Sequence, residues 1–547
     1  MAERLQQSFP TRIYPYRRSS GAEPGVMSAK EVEPLSEGIF RFRLGRDPNP
    51  IQISASQVSA ELGDPFAQLL LGNNVLPLSL RSLLSALDGH NSDQRGLPVQ
   101  RSFLVAEGGK IPWTRETADL HREFRFVVTR AARDALQPDL LIAASTNLDS
   151  ETIFLQLIAW DPVQAAFQFY QRLGRGWAWA GSSWDALEPD TRAKGPFDSH
   201  VNGALVMKEL KIPWINWHSM AASITQDALA PNDPLLSESL FQQRTGAERL
   251  EIEVVRPGIR RWNDARFKKL LQAGSLKRAN EFLRQALFTT TVNLTSAPEE
   301  RTQARPEIPV HLPLSFFLNS EALLDLLQIP AAVQRPQVDG GIYAQCLTRY
   351  DVALSDGEFT LPGDTHFMFV VPEPAFEDHV VLQRLVISQA MSPKLAASLL
   401  MVDFQNPLFS ERRTALARHM PNEIGISTSG SDLADQIVKS ISAEANSVDS
   451  PEAEFLDNWK LADSQWATTF AGRIMDYMNK IEEAVQSFQG FDQFFRLAES
   501  RRREFRRRPL AEFRLTTPLT NIPEDAPFLE MTLNGTVQDK QAKTSQP

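Results

Sequence analysis

Cysteine is almost missing from this chain: Cys346 stands alone among 547 residues. One thiol cannot close an intramolecular disulfide, nor build a structural zinc site that needs several thiolates. Long apolar runs are missing as well. No stretch of about 18 uncharged apolar residues occurs, so no membrane-spanning helix is expected. The opening Met-Ala-Glu-Arg-Leu-Gln-Gln-Ser has no apolar core for export, and the compartment read from this is the cytoplasm. Excess positive charge is also lacking. With 57 Lys and Arg against 67 Asp and Glu, the net charge of −10 gives no general attraction to phosphate backbones, and nucleic acid is not expected as a partner.

The common catalytic signatures are absent in turn. No run of glycines leads into Lys-Ser or Lys-Thr with the spacing that cradles phosphate. Gly174, Gly176 and Gly181 are closely spaced, but Trp177 and Trp179 intervene and no βαβ pattern surrounds them, so a dinucleotide site is not expected. The run from Gly425 to Gly430 is one residue away from a nucleophile elbow. With no strand pattern ahead of it, it reads as a loop leading to a helix at Asp432.

What remains is a globular composition, 42% hydrophobic and 23% charged, with length for roughly two to four domains. The 36 prolines are scattered, which suits many short ordered connections. Residues 1–34 read as an extended arm. Residues 35–235 read as strand-rich, with alternating runs at Ile39–Leu44 and Phe124–Val128 and a helical stretch at Pro77–Leu87. Ile153–Trp160 and Ala165–Tyr170 form a predicted hairpin around Asp161-Pro162. Residues 236–510 read as mostly helical. One helix is expected over Ala265–Leu287, interrupted at Gly274, and one long helix over Pro451–Phe488, capped by Ser450 and stopped by Gly490. Residues 511–547 read as an extended polar tail. The fold class expected is α+β.

Histidine is the side chain best suited to ligate a metal or shuttle a proton here, and there are eight. His121-Arg122-Glu123 has the His-x-Glu form of facial-triad iron sites, a match that chance supplies about once in such a chain. His366 and His379, with Asp364, Glu373, Glu377 and Asp378, have the donors for a divalent cation, although acidic residues also suit a helix's first turn. Residues 172–220 stand apart, holding Trp177, Trp179, Trp184, Trp214 and Trp217 together with His200 and His218. Such a cluster makes a dense core or the wall of a pocket for a flat ligand. Downstream, Arg501-Arg502-Arg503-Glu504-Phe505-Arg506-Arg507-Arg508 reads as a solvated face matching a helix C-terminus, with docking of an acidic partner as the alternative.

Pro196-Phe197-Asp198-Ser199-His200 has the layout of a Cys-x-x-Cys-His haem-attachment segment, with Pro196 and Ser199 where the thiols would stand. Together with Gly-Ala-Leu-Val-Met-Lys-Glu-Leu and Pro-Trp-x-x-Trp-His downstream, it resembles bacterial c-type-cytochrome-like proteins of uncharacterised role. The resemblance extends to Leu283–Phe288 and Val402–Pro407. It implies non-covalent haem or iron, since covalent haem c has no thiols to hold it. His200 inherits the ligand role, Met207 stands as a possible second ligand, and His218 as another. Met207 lies seven residues from His200, so on one helix the two would share a face and could not clamp opposite sides of one iron.

Two functional classes follow. In the first, an oxidoreductase-like, cofactor-binding protein uses His200 and His218 as ligand or base within a pocket of Trp214, Trp217 and Met207, and takes a small-molecule ligand. In the second, a non-catalytic scaffold derived from a cytochrome-like ancestor binds a protein partner.

Overall fold

The computed structural model describes residues 34–106, 124–198, 200–205, 229–246, 248–295, 305–356, 359–362, 371–444, 447–507 and 518–540. The fold is α+β, with a mixed sheet in the N-terminal half and mostly helices in the C-terminal half. The chain divides into two units, the second taking over at Ile259.

The first unit is built on a seven-stranded sheet of β1 (Leu35–Arg41), β2 (Ile51–Ile53), β3 (Val99–Ala106), β4 (Phe124–Ala131), β5 (Leu140–Ser145), β6 (Leu155–Asp161) and β7 (Ala166–Ser182), in the order β2-β1-β7-β6-β5-β4-β3. Strands β3 to β7 form an antiparallel meander, and β1 joins β7 in parallel. Glycine makes that pairing possible: a Cβ on Gly176 would lie 2.7 Å from the Ser36 carbonyl oxygen. The predicted hairpin is present as β6 and β7, with Asp161 opposite Ala166. Asp161 Oδ1 accepts from the amides of Val163 and Gln164, so the carboxylate shapes the turn that Pro162 opens.

Three helices, α1 (Ala55–Glu61), α2 (Pro65–Leu69) and α3 (Leu80–Asp88), follow β2. Each starts where the sequence supplies a cap: Ser54, Asp64 ahead of Pro65, and Ser79. Phe66 of α2 is fully buried with its ring edge-on to Tyr170 and Trp177 of β7. Removing such a side chain from water contributes about 2–3 kcal/mol.

In the second unit the expected interruption at Gly274 is present as a hairpin, and the chain departs from the expected elements in two other places. Between Ala265 and Leu287 the chain makes a tight hairpin, Leu271–Gln272 against Ser275–Lys277, with Gly274 at φ +77°. This separates the helices Arg256–Leu270 and Ala279–Leu287. The stretch read as one helix over Pro451–Phe488 is two, Pro451–Trp459 and Trp466–Val485, and a third, Phe488–Arg507, starts at its end. Ser450 caps the first as expected, and Asp463-Ser464, which compete for backbone bonds, lie in the break. Gly490 lies inside the third helix and does not end it. A Cβ there would meet the Ala484 carbonyl oxygen at 2.2 Å, so glycine lets the two helices join closely. Finally, the run read as a loop at Gly425 contains two short strands, Glu423–Ser427 and Gly430–Ser431, extending that hairpin into a four-stranded sheet. Within the stretch read as a tail, Leu529–Met531 pairs with Val537–Asp539, and Leu529 and Met531 are buried.

Cys346 sits on the buried side of the helix Gly340–Arg349, and desolvation pushes its thiol up to about 12. Only the thiolate reacts with disulfide reagents. We expect no reaction with an aromatic disulfide at pH 8 in the native state and one equivalent after denaturation, read by the released chromophore. Rapid native labelling would show that the thiol is accessible.

Candidate functional site

His200 follows a short helical turn, Gly195–Asp198, in the chain leaving β7. Ser183 fixes the return of this loop: its hydroxyl donates to the Gly203 carbonyl at 2.7 Å and accepts from the Phe167 amide at 3.0 Å. Gly203 has φ +71°, and a Cβ would lie 2.5 Å from the Ser183 carbonyl oxygen, so Asn202-Gly203 admits no larger residue at its second place. Phe197, Val201, Ala204 and Leu205 are buried, and the half-buried His200 ring packs against Phe169 with centroids 5.1 Å apart. Its Nδ1 lies 2.8 Å from the Ala204 carbonyl oxygen. A carbonyl can only accept, so Nδ1 carries the hydrogen and Nε2 is the basic nitrogen of the neutral ring.

Met207, Trp214, Trp217 and His218 lie outside the described residues, as do His121, Arg122, Glu123, Asp364 and His366. The three tryptophans of the cluster that are described serve packing. Trp177 is fully buried and donates to the Pro77 carbonyl, Trp179 donates to Gln168, and Trp184 donates to the Gln164 carbonyl. His379 is buried, with Nε2 2.9 Å from Asn319 Oδ1 and Nδ1 3.1 Å from Glu321. Among the described residues, no group of three or more His, Cys, Asp or Glu side chains could hold a metal ion, so the grouping at Glu373–His379 does not form one there.

The first half of the arginine run is not a solvated face, whereas Arg506 is half-buried and Arg507 exposed. Arg501, Arg502 and Arg503 are at most 3% exposed. Arg501 donates to the Phe316 carbonyl, Arg502 pairs with Glu499 at 2.7 Å, and Arg503 donates to the Ala526 and Pro527 carbonyls. The sequence shows six positive charges. It does not show that the chain beyond the helix folds back and supplies carbonyl acceptors.

Leu283–Phe288 and Val402–Pro407, set apart in the sequence, meet at one side chain. Arg413 is 4% exposed, and its guanidinium donates to the carbonyls of Leu287, Val402, Asn406 and Pro407 at 2.9–3.2 Å. Asp403, held at φ +53°, accepts from Asn406, Gln405 and Ser410. Burial lowers the pKa of Arg413 and raises that of Asp403. This centre orders backbone.

Sequence reading passed over two further polar centres. In the first unit, Asp64 and Asp161 are both fully buried. Asp64 takes the Tyr170 hydroxyl at 2.5 Å and the amides of Phe66 and Ala67, and Asp161 takes the Gly63 amide at 2.8 Å and the Gln168 side chain at 3.1 Å. The only signal was Asp-Pro at each position, which marks a cap or a turn. In the second unit, His419 lies between Ser440 and Glu452, at 2.8 and 3.5 Å. No motif announces it, because the three come from separate elements.

No family model, curated protein or solved structure matches this chain.

Proposed function

We propose that this chain is a cofactor-binding, oxidoreductase-like protein whose ligand is held by His200 Nε2. The observation that carries the reading is the Nδ1 bond to the Ala204 carbonyl. Histidines that ligate metals tie their second nitrogen to a carbonyl or carboxylate in this way, which fixes the ring and makes the other nitrogen more basic. Among the described residues the site offers one nitrogen donor, which would suit an iron or haem held without thioether bonds, since Pro196 and Ser199 stand where the thiols would. Such a group, when bound, would supply one-electron chemistry. The chain's own part is to present one oriented imidazole beside the Phe169 ring, which in turn packs edge-on to Phe197. Without a cofactor, the same nitrogen can take a proton from a small-molecule ligand.

The test is the visible spectrum and iron content of the purified full-length chain, followed by haem titration of the wild type and His200→Ala. A Soret band that shifts on titration and is lost in His200→Ala, with the melting temperature held, supports the reading. Equal titration of both proteins overturns it, as does no binding by either, and a partner-binding scaffold then takes its place.

A further inference from the structure

A second cluster of polar side chains lies in the helical unit, independent of His200. His419 closes the short helical turn Leu416–His419, Ser440 projects from the helix Leu433–Glu444, and Glu452 lies in the first turn of the helix Pro451–Trp459. The His419 side chain is 1% exposed and that of Glu452 5%, while Ser440 is only half-buried. The three are thus layered, with the hydroxyl outermost, the imidazole behind it and the carboxylate on the far side of the ring. His419 Nδ1 is 2.8 Å from Ser440 Oγ, and Nε2 is 3.5 Å from Glu452 Oε1 and 3.9 Å from Glu444 Oε2. Arg418 binds both carboxylates, at 2.8 and 3.0 Å, which fixes Glu452 in place.

We propose that Ser440, His419 and Glu452 form a serine acyl-transfer centre that hydrolyses small activated carboxylic esters. Roles in such a centre are recognised by geometry and not by chain order. In the neutral tautomer with its hydrogen on Nε2, Nδ1 accepts from the Ser440 hydroxyl, as a general base needs, and Nε2 stands within ion-pair range of Glu452 without a hydrogen bond to it in the resting structure. Ser440 Oγ bonds to the ester carbonyl carbon as its proton passes to Nδ1. The tetrahedral adduct then breaks the bond to the alcohol oxygen, which leaves with the proton from Nδ1. Water repeats the sequence on the Ser440 ester, releasing the carboxylic acid and restoring the serine. Glu452 is a positioning residue: its charge favours the imidazolium formed in each step. Arg418 offsets part of that charge.

The experiment uses the full chain with a fluorophosphonate probe, adducts being mapped by mass spectrometry, and with p-nitrophenyl acetate. We expect the adduct on Ser440 and ester hydrolysis above buffer. Ser440→Ala should abolish both while keeping the melting temperature, because alanine suits a half-exposed helical position. His419→Gln should lower turnover by about 100-fold or more. Glu452→Gln should displace the lower limb of the pH–rate profile, which a purely structural carboxylate would leave in place. Absence of a Ser440 adduct in the folded protein overturns the proposal, and so does labelling that is the same in His419→Gln.

Discussion

Arg413→Ala is expected to destabilise the second unit by about 3–5 kcal/mol, the range for removing one partner from a buried charged network. The guanidinium satisfies the carbonyls of Leu287, Val402, Asn406 and Pro407 from within the core. Truncation leaves those acceptors buried without donors, and each stranded group costs about 1–3 kcal/mol. It also leaves Asp403 without its compensating positive charge. Arg413→Lys should fall between, because an ammonium is a point donor and cannot serve a fan of carbonyls as a planar fork does. Urea unfolding followed by tryptophan fluorescence reads both. A loss below 1 kcal/mol in Arg413→Ala would show that the loop from Val402 to Pro407 is held by other contacts. The left-handed conformation of Asp403 and of Phe409 points against that outcome, since strained non-glycine residues persist only where surroundings enforce them.

The second large effect concerns pH. Desolvation raises Asp64 to about 7, against the hydrogen bond from Tyr170, and the neighbouring Asp161 charge adds to the rise. The folded state therefore binds a proton at this site that the unfolded chain has released above its ordinary carboxylate value of 3.8. Its contribution to stability is complete below that value, declines as pH rises and is gone above about 7. Asp64→Asn keeps the shape, and the Tyr170 hydroxyl can turn to accept from the amide. Comparing wild type and variant from pH 5 to pH 8.5, the difference should move in favour of the variant by on the order of a few kcal/mol. Parallel curves would mean that Asp64 is ionised throughout, held so by Tyr170 and the amides of Phe66 and Ala67.

Periodicity and turn chemistry were enough for much of the fold. The alternation in Ile153–Tyr170 around Asp161-Pro162 specifies a hairpin locally, because a strand's two faces and a turn's amides are set by neighbours in sequence. The cap at Ser450 was legible for the same reason. The break after Trp459 and the helix running through Gly490 were not. There the deciding contacts are the buried Asn458 side chain donating to Ser398 and the close pass of Gly490 over Ala484, both invisible to a periodic pattern.

For the candidate sites the division is sharper. His200 could be singled out as a candidate because its neighbours in sequence form the motif, and its partner Ala204 is four residues away. Ser440, His419 and Glu452 were not, since 33 residues separate His419 from Glu452. The arginine run misled because charge was read without acceptors.

The amino-acid sequence by itself determined the α+β class, the strand-rich then helical order, and the exclusion of an intramolecular disulfide, since each follows from local periodicity or from counting one residue type. Tertiary structure alone decided which polar groups became interior fixtures. Whether a charge is buried depends on what the rest of the chain brings to it: carbonyls for Arg413 and Arg501–Arg503, a phenol and amides for Asp64, and a serine and a carboxylate for His419.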